Sequence, residues 1–286
     1  MEYTEADPLI SPPISGSGLA PQNVLRTVLP FDPSRDGFSF SNSFAWTDAD
    51  LDELTRRLRP LTVGALAGLG GLAGRLRGAT GAGAAGGAGV GALGGGALVR
   101  RIAQNWKTFG LCGGMSLAAV ERWTAGSPVP TWSLEKSAMR PLLRRRQAET
   151  LRHSLVRFVR QWAVARWDGT ASPPLGRELA EAVDRATAQI EGGRPVLLGL
   201  IGDAPDPFAN HQVVAFGVER GPGPAEATFF VYDPNAPGVT RHVRTALAPG
   251  DPRRTHVRTD LPTGPRAHGC HLSTRPGWLA SVLVVM

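Results

Sequence analysis

The hydrophobic period of this chain changes at one point. Between Cys112 and Ile190 the apolar residues recur every three or four positions; beyond Gly192-Gly193 they alternate, or run unbroken over short stretches. A helix buries a stripe and a strand buries one or both faces. Helical segments in one block, followed by strands in another, therefore predict an α+β domain with an antiparallel sheet. Helices are expected from Cys112 to Trp123, with Leu117, Val120 and Trp123 on the apolar side, and from about Pro141 to Trp167, where Leu151, Leu155, Phe158, Trp162 and Val164 form the buried stripe. A third runs from Gly176 to Ile190 and is stopped by the glycine pair. Strands are expected at Pro195–Ile201, His211–Glu219, Ala227–Tyr232, Val239–Thr245 and Leu279–Met286, with a turn at Gly221–Pro224.

Upstream of this block the chain divides in two. Residues 1–63 are an arm rich in Pro, Ser and Asp, with short strands expected around Val24–Leu29 and Gly37–Phe44. A helix over Ala49–Arg59 would be capped by Thr47 or Asp48 and stopped by Pro60. Residues 64–99 are mostly glycine and alanine, uncharged from Gly78 to Val99. Their length would suit a membrane span, but Gly and Ala contribute little transfer energy, and each glycine costs a helix roughly 1 kcal/mol relative to alanine. The segment reads as a flexible linker, and a membrane partner is not expected. Residues 100–286 are the expected catalytic domain. Should GFSFSNSF (37–44) belong to that domain, the Gly-rich segment is an insertion within it.

The formal net charge of +7 raises the question of a nucleic-acid partner. The positive charge is almost all arginine, Lys107 and Lys136 being the only lysines, and it accompanies 36 glycines and 24 prolines, as in a GC-rich coding bias. The densest run, Arg144-Arg145-Arg146, falls in a helix and reads as a solvated face, so no nucleic-acid partner is expected. The opening residues MEYTEADPLISPP lack the basic and apolar regions of an export signal, which makes the cytoplasm the default location, with export by another route compatible. Two cysteines, Cys112 and Cys270, make no disulfide framework, although a single bridge between them is an alternative use. His268, Cys270 and His271, with His256 nearby, match no zinc-ligand spacing, so neither a metal nor another cofactor is expected. Asp203 and Asp206 read as turn residues, with selection of a basic substrate group as the other reading.

Cys112 has a more specific reading. It lies where the extended NWKTFGL meets the helical MSLAAVERW, at a helix N-terminus whose unpaired N–H groups and dipole favour a thiolate. Gly113 and Gly114 leave room for a substrate backbone, and the Cys112 N–H is suited to holding an oxyanion. His211 opens a strand whose hairpin partner ends at Tyr232. A turn centred on Pro222 puts His211 opposite Asp233; a centre one residue later puts it opposite Asn235. A carboxylate against the imidazole fixes its tautomer and stabilises the imidazolium formed when the thiol ionises. Cys112, His211 and Asp233 are accordingly the candidate catalytic set, with Asn235 as the alternative orienting residue.

The segments FGLCGGMSLAA, NHQVVAFGV and VYDPNAPG resemble the cysteine, histidine and aspartate motifs of papain-like cysteine peptidases, nearest to the bacterial double-glycine leader peptidases of bacteriocin exporters. The resemblance covers about residues 100–286. It implies a helical left half led by the nucleophile helix and packed on an antiparallel sheet, and hydrolysis of a peptide or amide through a thioester. The family's oxyanion glutamine sits five or six residues before the cysteine. This chain has Lys107 and Trp106 there, so Gln104 or Asn105 would serve through a longer loop. The alternatives are an acyl or peptidyl transferase using the same triad and an inactive binding module of the same fold.

Overall fold

The strands Val196–Ile201 (β2) and His211–Arg220 (β3) are buried along nearly their whole length, on both faces. A sheet with such strands at its middle needs a cover on each side. The computed structural model supplies both. It describes residues 25–44, 47–49, 52, 53, 56, 110–127, 131–168, 173–201, 210–223, 225–248, 251–261, 278, 279 and 281–284.

The remaining strands are Arg26–Val28 (β1), Ala227–Tyr232 (β4), Thr240–Ala248 (β5), Asp251–Thr259 (β6), Trp278–Leu279 (β7) and Ser281–Val284 (β8). The sheet runs β7-β6-β5-β4-β3-β2-β8, with every pairing antiparallel. β1 pairs with the far end of β3, Arg26 opposite Glu219, where β2 has ended. Among the described residues the long helices are Cys112–Thr124 (α1), Lys136–Asp168 (α2) and Pro173–Glu191 (α3). The protein is thus a mixed helix and antiparallel-sheet fold, as the change of period predicts.

Alternation along β3 assigns its two faces. Val213 and Ala215 pack with Leu179, Val183, Ala186 and Ile190 of α3. Val214 and Phe216 pack with Leu111, Met115, Ala118 and Ala119 of the α1 segment and with Leu143 and Leu151 of α2. The helices are therefore not gathered on one side of the sheet; α3 covers the face opposite the nucleophile helix. The physical reason is the doubly apolar β2–β3 pair, which a single helical layer would leave half exposed.

The described part of the arm from Phe31 to Phe44 belongs to this core. Phe31, Phe38 and Phe44 are buried in the same cluster as Met115 and Tyr232, and the Phe38 N–H donates to the Tyr232 hydroxyl at 3.1 Å. The expected strand near Val24–Leu29 is β1, whereas Gly37–Phe44 forms bends without a strand. Among residues 47–56 the described ones from Asp48 onward are helical. α3 ends as expected: Gly193 takes a positive φ of 80°, its N–H bonds Ile190 O at 2.9 Å, and the Arg194 N–H bonds Gln189 O at 2.9 Å.

The strand β6 was not expected, because Pro252 and the charged run around it disguise its alternation; it pairs along β5 from Val243↔Thr259 to Ala248↔Asp251. In α2, Leu151 and Phe158 are buried and Trp162 is half-buried, while the side chains of Leu155 and Val164 lie outside the described residues. Arg146 is not merely solvated: it bridges Glu121 of α1 at 2.7 Å and Glu149 at 2.8 Å. Among the described residues no helix is long and apolar enough to cross a membrane, and residues 64–99 lie outside them.

α1 and α2 cross closely at Gly114. A Cβ there would run into the Leu143 carbonyl and come within 3.1 Å of the Gln147 backbone nitrogen. Gly114→Ala is expected to destabilise the protein by about 1–3 kcal/mol, read as a lower urea midpoint with an unchanged m-value.

Candidate active site

The cap position of α1 is an aliphatic residue with no hydrogen-bonding side chain. Leu111, at the N-cap, makes no side-chain cap, and its φ and ψ of −105° and 37° are not helical. Two buried amides from elsewhere in the chain replace the missing cap. Gln147 of α2 accepts the Gly114 N–H at 2.9 Å through Oε1, and Asn42 of the arm accepts the Leu111 N–H through Oδ1. The Met115 N–H closes the first helical bond on Leu111 O at 2.8 Å. By helix geometry the N–H groups of Cys112, Gly113 and Gly114 lie in the first turn, ahead of the first i−4 bond within the helix, and Cys112 carries a thiol, not a disulfide. A Cβ at Gly113 would overlap Gln212 Oε1 and come within 2.6 Å of Thr150 Oγ1, so those side chains would have to move to admit it.

His211 is the first residue of β3 and is fully enclosed, as is Asp233. His211 Nε2 donates to Asp233 Oδ1 at 2.6 Å. Of the two expected hairpin registers, the observed pairing next to His211 is the alternative, with the turn centre one residue later. Pairing runs from Arg220↔Ala227 to Gly217↔Phe230, shifts at Phe216, and continues as Ala215↔Val231 and Val214↔Tyr232. Extended, this register would set His211 opposite Asn235 and leave Asp233 on the diagonal. The turn after β4 brings the carboxylate in: the Ala236 N–H bonds Asp233 O at 2.9 Å, and the Asn235 N–H bonds Asp233 Oδ1 at 2.8 Å. Asn235 Nδ2 stands 3.4 Å from His211 Nε2, at the limit of a hydrogen bond, so Asp233 is the principal partner and Asn235 a flanking one.

Burial is the largest influence on the His211 ring and favours its neutral form. The charge and hydrogen bond of Asp233, with the smaller hydrogen bond and charge of Cys112, outweigh it and push the imidazole up to about 10. Cys112 is thus close enough to act on the ring directly. Nε2 is committed to Asp233, while Nδ1 is buried with no hydrogen-bond partner among the described residues. Asp233 Oδ2 is buried with no hydrogen bond among the described residues, so the carboxylate is satisfied entirely through Oδ1.

The structure thus brings Cys112, His211, Asp233 and Asn235 together from α1, the start of β3 and the turn after β4. Gln104 and Asn105, the expected oxyanion side chains, lie outside the described residues, as do Asp203, Asp206, His268, Cys270 and His271. His256 is in β6, its side chain undescribed, and among the described residues no cluster of His, Cys, Asp or Glu could hold a metal ion. Two residues at the site were not singled out from sequence, Asn42 and Gln147. Asn42 sits between two serines in FSNSF, and nothing in that pattern sets it apart. Searches against protein-family models, curated proteins and solved structures return no match to this chain.

Proposed function

We propose that this chain is a papain-like cysteine hydrolase that cleaves a peptide or amide bond through an acyl-thioester. The observation that carries the reading is the 2.6 Å bond between buried His211 and Asp233, with the helix-borne thiol of Cys112 acting on the same ring. A cysteine at the head of a helix, with histidine and aspartate on an antiparallel sheet, is also the arrangement expected of the family its motifs resemble.

In the resting state the ring holds a proton and the sulfur a negative charge. The thiolate attacks the carbonyl carbon, and the oxyanion forms near the N–H groups of Cys112 and Gly113. Collapse breaks the C–N bond; His211 gives its proton to the departing amine, and the acyl group stays on Cys112. The thioester sulfur is uncharged, so its contribution to the basic shift of His211 disappears, and the neutral ring can take a proton from water. Hydroxide equivalent adds to the thioester, the carboxylic acid leaves, and the thiolate–imidazolium pair is restored. No metal or organic cofactor enters any of these steps.

Hydroxylamine tests the intermediate. With p-nitrophenyl acetate as acyl donor, the wild-type chain should release nitrophenolate and yield acetohydroxamate in proportion to added hydroxylamine, with total turnover fixed when deacylation is not limiting. A chain that forms no hydroxamate and no acyl adduct on Cys112 by mass spectrometry sinks the reading. Efficient transfer to a peptide amine in preference to water would instead favour the transferase alternative.

A further inference from the structure

The arm residue Asn42 touches both halves of the candidate triad's scaffold. Its side-chain Oδ1 accepts the N–H of Leu111, the residue before Cys112. Its own N–H donates to Pro234 O at 2.9 Å, the residue after Asp233. It is buried, and the chain makes space for it: a Cβ on residue 110 would overlap the Asn42 amide, so Gly110 allows the close approach.

We propose that Asn42 is a positioning residue for the nucleophile, holding the peptide that enters α1 so that the Cys112 thiol meets the His211 ring. The proposal rests on the hydrolase reading and deepens it. Leu111 is not helical and has no cap of its own, so the direction in which Cys112 leaves the turn is set by the peptide plane between Gly110 and Leu111. The Asn42 carbonyl oxygen holds the N–H of that plane. Freed from it, the peptide can rotate and swing the sulfur relative to a ring that β3 and Asp233 keep fixed. A displacement of about 1 Å between reacting groups is enough to cost roughly 100-fold in rate.

Asn42 does not depend on this bond for its own place. Phe38 and Phe44 anchor the arm on either side of it, and Phe38 N–H bonds the Tyr232 hydroxyl. The Lys136 ammonium bonds Ser43 and lies 4.9 Å from the centre of the Phe44 ring. Gly37 packs against the Tyr232 ring, where a Cβ would come within 2.6 Å. Removing the Asn42 amide therefore loosens the entrance to α1 while the aromatic anchors stay.

The test compares wild type, Asn42→Ala and Asn42→Asp in the full chain. Aspartate keeps an oxygen for the Leu111 N–H; alanine does not. The readouts are the rate constant for iodoacetamide at Cys112, followed by peptide mapping, the kcat and KM for p-nitrophenyl acetate, and the urea midpoint. Asn42→Ala should lose about 10- to 100-fold in both labelling rate and kcat with KM little changed, and Asn42→Asp should recover most of that loss. Rates in Asn42→Ala within twofold of wild type overturn the proposal alone, as does an Asn42→Asp no better than alanine at a matching urea midpoint. A wild-type chain whose Cys112 reacts no faster than an ordinary thiol and forms no acyl adduct removes the hydrolase reading, and the proposal with it.

Discussion

In Cys112→Ala, hydrolysis of any accepted amide or ester should fall by on the order of 10⁴-fold or more, to the background left by binding and the first-turn N–H groups alone. Among the described residues of the candidate site Cys112 carries the only thiol, and a neighbouring hydroxyl or imidazole is a far weaker route to an acyl intermediate. The same substitution should abolish fast alkylation at position 112 near neutral pH, when the thiolate is sustained by the imidazolium beside it. Because Cys270 also carries sulfur, the label must be assigned by peptide mapping, or read in a Cys270→Ser background. Cys112 sits in a first turn held by the Gln147 and Asn42 amides, and alanine is a good helix former, so the variant should fold with a urea midpoint close to that of wild type. Undiminished turnover in folded Cys112→Ala would refute the assignment of the nucleophile.

The second large effect belongs to Asp233. Asp233→Asn preserves size and an oxygen for the Asn235 N–H, but removes the charge that holds His211 protonated. The expected outcome is a loss of about 10²–10⁴-fold in kcat, together with a narrower pH range. The direction follows from the ring. In the wild type the imidazole is raised from 6.5 to about 10, so the reactive pair persists through neutral pH and fails as pH rises through about 10. Without the carboxylate, burial dominates and favours the neutral ring, so the alkaline limit of activity should move down toward neutrality. Stability obeys the same sign. A histidine raised in the folded state contributes stability that is complete below the unfolded value of 6.5 and lost as pH climbs through about 10; in Asp233→Asn that alkaline loss should shrink. Urea midpoints at pH 6 and pH 10 for the two proteins check this. An unchanged alkaline limb in the variant would show that Asp233 does not govern the ring.

Much of this arrangement was legible in residue order because it depends on local pattern. α1, α3 and the strands β2, β3 and β4 follow from period and from Gly192-Gly193, and their ends fall within a few residues of where the pattern puts them. The pairing of His211 with Asp233 was also legible, though by a different geometry from the simple opposed register. A one-residue shift at Phe216 cannot be read from HQVVAFGVER, where every residue is compatible with an unbroken strand. It is offset by the Asp-Pro-Asn turn, whose Asx bond carries the carboxylate back to the ring. What residue order hid are contacts between distant segments. Nothing near Asn42 or Gln147 announces a helix start 69 residues after the one and 33 before the other. β6 was hidden for the opposite reason, a local composition that argues against the strand its pairing with β5 enforces.

The bond from Asn42 to Leu111 also bears on how the chain tolerates what lies between them. It closes a loop spanning 69 positions, and Phe38 reaches Tyr232 across 194. The entropy of closing a flexible loop rises only with the logarithm of its length, about 0.6 kcal/mol for each doubling. A separation of 69 positions is therefore only about 0.6 kcal/mol costlier to close than one half as long. Its influence falls on kinetics: contacts of such wide separation form late, so the thiol's surroundings should be among the last parts of the protein to assemble.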